Sequence, residues 1–154
     1  MLPKFQIKIE EGKRELDSII KTVPDRCLDV IGFSRGGVLA MDFVNKVKQN
    51  SEYKSVKIRF VGLFDPVRGA DTDDRKRTHI GNEHIQNLAI AYAANERRVL
   101  FLPRYYKGAN ETTSYIRYFA GSHSDVGGRI QRTRGCIKLL ICNDGTRHKS
   151  RSPV

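Results

Sequence analysis

Cys27-Leu28-Asp29-Val30-Ile31-Gly32-Phe33-Ser34-Arg35-Gly36-Gly37-Val38-Leu39-Ala40 is the stretch on which the fold turns. Cys27 to Phe33 is a short apolar run interrupted only by Asp29, and it reads as a buried strand. Ala40, Phe43, Val44 and Val47 then recur at helical spacing, and Asn50-Ser51 closes that helix. Between the two, Gly32-Phe33-Ser34-Arg35-Gly36 fits Gly-x-Ser-x-Gly, the strand–turn–helix elbow that lifts a serine hydroxyl above a sheet. The demand is steric: glycines two residues to either side let strand and helix approach closely. The turn also aims the backbone N–H of Arg35 at the place where an oxyanion would form. Ser34 is therefore a candidate nucleophile and Arg35 a candidate oxyanion donor. The plainer reading is a tight turn that uses glycine for packing.

Upstream, Leu16, Ile19, Ile20 and Val23 mark an amphipathic helix ended by Pro24-Asp25. Downstream, Val56 to Phe64 reads as a strand stopped by Asp65-Pro66, and a charged loop runs from Arg68 to Thr78. Ile85, Leu88, Ala89, Tyr92 and Ala93 match the spacing of another helix. Val99 to Leu102 reads as short and extended, and Lys107 to Thr113 as a loop. Tyr115 to Phe119 is an aromatic strand that runs into the Gly/Ser-rich turn from Gly121 to Gly128. Ile137 to Cys142 is the last strand. Strands alternating with helices predict an α/β fold, a small mostly parallel sheet with helices on both faces.

A serine nucleophile needs a base, and the base needs a carboxylate to orient it. Asp65 and His123 each follow a strand, at the ends where α/β sheets place their sites. Asp125, two residues from His123, competes with Asp65 as the acid. His79 lies in the charged loop, His84 on the expected helix and His148 in the basic tail, all poorer positions for a base.

The 154 residues suffice for one domain with a real core. No apolar run approaches the roughly 20 residues that span a bilayer, and the N-terminus lacks a signal-peptide core. The expected location is cytoplasmic, or delivery by a secretion system that needs no signal peptide. Cys27, Cys136 and Cys142 form neither a disulfide framework nor a zinc pair, and they read as buried, reduced thiols. No cofactor and no metal are expected. Lys and Arg exceed Asp and Glu by 28 to 17, a formal charge of +11. From Gly128 to Val154 seven basic residues face one acid, which supplies +6 of it. Such a field suits an anionic membrane surface; with no aromatic residue in that basic tail, no specific nucleic acid is expected.

Three blocks carry a resemblance: Ile31 to Gly37, Val61-Gly62-Leu63-Phe64-Asp65-Pro66-Val67, and Phe119-Ala120-Gly121-Ser122-His123-Ser124-Asp125-Val126-Gly127-Gly128. Together with Glu96-Arg97-Arg98 and Phe101-Leu102-Pro103, they resemble the α/β-hydrolase family that includes the type VI secretion phospholipase effectors. The resemblance implies a Ser-Asp-His triad of Ser34, Asp65 and His123, and hydrolysis of carboxylic esters, phospholipids among them. Few residues precede the elbow, and the family's first strand and Asp-Gly-Thr loop are not found there. Ile137 to Thr146 looks like that segment displaced to the C-terminus. The expectation is then one reduced, circularly permuted domain over 1–154, with a basic segment at 129–154. Its core strand order would be Ile137–Cys142, Cys27–Phe33, Val56–Phe64, Tyr115–Phe119. The last strand would run parallel to the elbow strand, with Gly145 and Thr146 near Ser34 as further oxyanion donors. Two functions stand open. One is a serine esterase acting on esters or phospholipids. The other is an inactive hydrolase-like fragment that binds a protein partner or polyanion through its basic surface.

Overall fold

The computed structural model describes residues 4–21, 27–67, 85–127 and 137–142. In chain order the regular elements are α1 (Lys4–Ile20), β1 (Cys27–Phe33), α2 (Arg35–Gln49), β2 (Lys57–Phe64), β3 (Ile85–Ala93), β4 (Thr113–Phe119), α3 (His123–Val126) and β5 (Ile137–Cys142). One sheet holds the five strands in the order β4-β3-β2-β1-β5. The pairs β1–β2, β2–β3 and β3–β4 are parallel, and β1–β5 is antiparallel.

The core lies between the sheet and α2. Leu28 and Val30 of β1 alternate with partly exposed neighbours, and they meet the buried Leu39, Met41, Phe43 and Val47 of α2. Ile9 and Leu16 place α1 against the same cluster. Alternation turns Phe33 to the opposite face from Leu28 and Val30, and there the one-turn α3 packs. Asp29, the charge that interrupts β1, is satisfied on that second face. Arg59 of β2 reaches it with Nη2 2.6 Å from Oδ2 and Nε 3.1 Å from Oδ1, a forked pair.

Four expectations need correction. Ile85–Ala93 is a strand, not a helix. Its large residues Leu88, Ile90 and Tyr92 are all buried, with alanines between them. That is a period of two, and it coincides with helical spacing at Leu88 and Tyr92. This strand sits between β2 and β4, so the four-strand order expected above lacks a member. Val99–Phe101 is a 3₁₀ turn rather than an extended segment.

The third correction concerns β5. It lies beside β1 as expected, but it runs antiparallel: Gly32 pairs with Ile137 and Cys27 with Cys142. Its last residue is therefore at the far end of β1 from Ser34. Gly145 and Thr146 lie outside the described residues, as do His79, His84, His148, Cys136 and the loop from Arg68 to Thr78. The antiparallel direction of β5 departs from the parallel pairing on which the permuted first strand rested. Cys27 is half-buried with a free thiol, not fully buried.

The pairing still has a stability consequence. Ending the chain at Gly135 strips β1 of a hydrogen-bonded neighbour and makes the elbow strand an edge. Thermal unfolding should then shift down by roughly 5 °C or more. A melting curve unchanged by the truncation would show that β5 adds nothing to the sheet.

Candidate active site

Ser34, Asp65 and His123 follow β1, β2 and β4, all at the C-terminal edge of the parallel strands. Ser34 has φ 59° and ψ −129°, a backbone state that costs a residue with a Cβ about 1–3 kcal/mol. Main-chain bonds hold it there. Its N–H donates to the Phe64 carbonyl at 2.9 Å, and its carbonyl accepts from Gly37 at 3.0 Å and Val67 at 3.2 Å. A Cβ on Gly32 would stand 2.5 Å from the Gly36 carbonyl oxygen and 2.7 Å from Gly37 Cα. The first glycine of the elbow is thus required by the approach of α2 to β1. Arg35 is the first residue of α2, so its N–H heads that helix.

Asp65 is 1% exposed and also takes a positive φ, 39°. Its N–H donates to the Ala91 carbonyl at 2.7 Å, and its Oδ1 accepts from the Ala93 N–H at 3.0 Å. Its Oδ2 lies 2.6 Å from His123 Nδ1. On the other side of that ring, Nε2 lies 2.8 Å from Ser34 Oγ. A carboxylate only accepts, so Nδ1 carries the proton and the Nε2 lone pair faces the serine hydroxyl. The three side chains form one hydrogen-bonded row, and His123 is 1% exposed.

Asp125, the alternative acid, does different work. It closes a capping box at the start of α3. Its Oδ2 accepts from the Ser122 N–H at 2.7 Å and from the Ser122 hydroxyl at 2.8 Å.

A second group of residues, given no role by the sequence reading, holds the histidine. The His123 ring stacks on Phe33 with centroids 4.8 Å apart, and it meets Phe101, tilted, at 4.8 Å. The Arg98 guanidinium lies 4.0 Å from the centre of the Phe101 ring. Glu96 fixes that guanidinium with bonds of 2.9 Å from Nε and 2.7 Å from Nη2. The Glu96 carboxylate also accepts the His123 backbone N–H at 3.2 Å, which closes the ring of contacts. The Arg98 bonds come first in holding the Glu96 carboxyl well below the usual carboxylate range. Folding therefore favours ionised Glu96. That contribution is complete above the ordinary Glu range and is lost progressively as pH falls from that range to the depressed folded-state value. The spacing Glu96-x-Arg98-x-x-Phe101 was visible in the sequence; its contact with His123 is long-range and was not.

Gly127 completes the packing, because a Cβ there would overlap the Phe33 ring. Gly127→Ala should push that ring off His123 and cost about 1–3 kcal/mol of stability. Chemical denaturation would measure it, and a neutral result would mean the ring moves freely.

Among the described residues, no group of His, Cys, Asp and Glu is placed to hold a metal ion. Nor is any described helix long and apolar enough to cross a membrane.

Fold and site define a reduced α/β protein with a serine, a histidine and an aspartate aligned at the sheet's C-terminal edge. Residues 39–136 match the family described as T6SS, Phospholipase effector Tle1-like, catalytic domain. The match covers more than half of the chain, and the chain belongs to that family. It includes Asp65 and His123 and begins just after Ser34. No curated protein matches the chain.

Proposed function

We propose that this protein is a serine hydrolase that cleaves carboxylic esters of phospholipids through an acyl-enzyme. The observation that carries the proposal is the row from Ser34 Oγ through His123 to Asp65, with contacts of 2.8 and 2.6 Å. As the Ser34 oxygen attacks the ester carbonyl carbon, its proton passes to His123 Nε2. Asp65 holds the ring and balances the imidazolium charge. The tetrahedral oxyanion forms beside the Arg35 N–H at the head of α2, where the helix dipole adds to the stabilisation. His123 then gives the proton to the departing alkoxide, and water releases the acid by the same steps in reverse roles.

The family description supports a lipid substrate and delivery by a signal-independent secretion route. The backbone strain at Ser34 counts against the inert alternative, since a packing turn gains nothing by holding a serine at φ 59°. The test is twofold. The full chain should release fatty acid from phospholipid, and a fluorophosphonate probe should label Ser34 alone, as mapped by peptide mass. Labelling elsewhere, or none together with no release, would end the proposal.

The contacts around His123 predict a milder effect. Arg98→Ala should lower kcat by about ten- to a hundredfold, because it frees Phe101 and loosens the ring that takes the proton. KM for a small soluble ester should stay near its starting value. A raised KM with unchanged kcat would mean that Arg98 binds substrate instead.

A further inference from the structure

Beside the site, the 3₁₀ turn Val99–Phe101 and the residue after it turn one aromatic ring inward and three aliphatic side chains outward. Phe101 touches His123. Val99 is 77% exposed, Leu100 73% and Leu102 58%. In a 3₁₀ turn residues three apart eclipse, so Val99 and Leu102 share a side. The segment is anchored from behind. Pro103 bridges to Val67, and the Arg104 N–H donates to the Pro66 carbonyl at 2.6 Å. Phe64 and Phe119, at the ends of β2 and β4, are also exposed at this edge. Water is a costly neighbour for so many aliphatic groups in one turn. Just before them stands the exposed Arg97, on a chain of formal charge +11.

We propose that Val99, Leu100 and Leu102 form a wedge that enters the surface of an anionic phospholipid bilayer and seats the His123 side of the site on it. The proposal rests on the phospholipase reading above and names the surface through which that site meets its substrate. Apolar side chains bury among the acyl chains just below the head groups, while the flanking Arg97 pairs with lipid phosphate. The cationic chain selects an anionic bilayer over a neutral one. Because the wedge and the ring against His123 belong to one turn, an ester at the bilayer surface meets the site without leaving the lipid.

The experiment uses the full chain carrying Ser34→Ala, so that lipid is not consumed. It is sedimented with vesicles of phosphatidylglycerol and phosphatidylcholine, and with phosphatidylcholine alone. Binding is expected to the mixed vesicles. Leu100→Asp or Val99→Asp should weaken it about tenfold or more, whereas Tyr115→Asp, on the exposed face of β4, should not. Leu102→Asp serves if either variant melts early. The chain has no tryptophan, so Leu100→Trp gives a single reporter. Its emission should shift to the blue on adding mixed vesicles and be quenched by brominated lipid. The wedge is overturned by absent vesicle binding, by equal binding of the Asp variants, by an equal loss at Tyr115, or by a tryptophan that stays in water. None of these readouts needs turnover. Failure of the hydrolase reading shows separately, as an unsubstituted chain that neither cleaves a soluble short-chain ester nor takes the probe.

Discussion

Ser34→Ala is expected to bring ester hydrolysis down to background, a loss of about 10³-fold or more, and to abolish labelling by the fluorophosphonate probe. The residue has no packing role that would confuse the result. Its hydroxyl meets His123 Nε2, and its backbone bonds to Phe64, Gly37 and Val67 survive the change. Circular dichroism and melting temperature should therefore match those of the parent chain. Ser34→Gly adds a second arm. Glycine accepts φ 59° without strain, so this variant should be equally dead yet about 1 kcal/mol more stable, after its larger unfolded-state entropy is set against the relief. Gain of stability with loss of function at one position is the mark of strain kept for chemistry. Retained turnover in Ser34→Ala would place the nucleophile elsewhere.

Asp65→Asn is expected to cost about 10⁴-fold in kcat while Asp125→Asn costs less than about tenfold. The reason lies in which atoms accept. Asp65 Oδ1 takes the Ala93 N–H, and Oδ2 takes the proton of His123 Nδ1. An asparagine has one oxygen for these two donors. If the oxygen stays with Ala93, the amide N–H₂ faces Nδ1 and forces the ring proton to Nε2. That nitrogen then donates toward Ser34 and can no longer take its proton. At Asp125 the same substitution only weakens the Ser122 cap of a short helix. Steady-state kinetics of both variants on one soluble ester decide the matter. The reverse ranking would make Asp125 the orienting acid.

The elbow, Asp65 and His123 were legible because each is a local event: a strand ending in a glycine turn or in an Asp-Pro stop. What the sequence hid is relational. Leu88, Ile90 and Tyr92 with alanines between them satisfy a strand, yet Leu88 and Tyr92 also satisfy a helix, and only the slot between β2 and β4 decides. Ile137-Lys138-Leu139-Leu140-Ile141-Cys142 reads as a strand in either direction. Nothing in its residues says that it pairs antiparallel with β1. The Glu96–Arg98–Phe101 contacts are hidden for the same reason, since their meaning depends on a histidine more than twenty residues away.

The main chain ties Ser34 to Phe64 and Val67 and Asp65 to Ala91, and the Asp65 carboxylate accepts from Ala93, so the serine and the aspartate are parts of one rigid sheet edge. His123 stands on a short arm that leaves β4 through Gly121, at φ 129°, and is tied to the segment after β3 by the Asn95 N–H donating to the Gly121 carbonyl at 3.0 Å. Aligning three groups is thereby reduced to docking one small body on another, and folding of the sheet has already met most of the entropic cost. Substitutions deep in the sheet should leave that alignment untouched until the whole domain melts. Changes between Phe119 and Gly127 act on the alignment directly, with a stability cost where they disturb the packing on Phe33. Any two-state behaviour of this site is then a property of the arm, with the sheet edge as its fixed frame of reference.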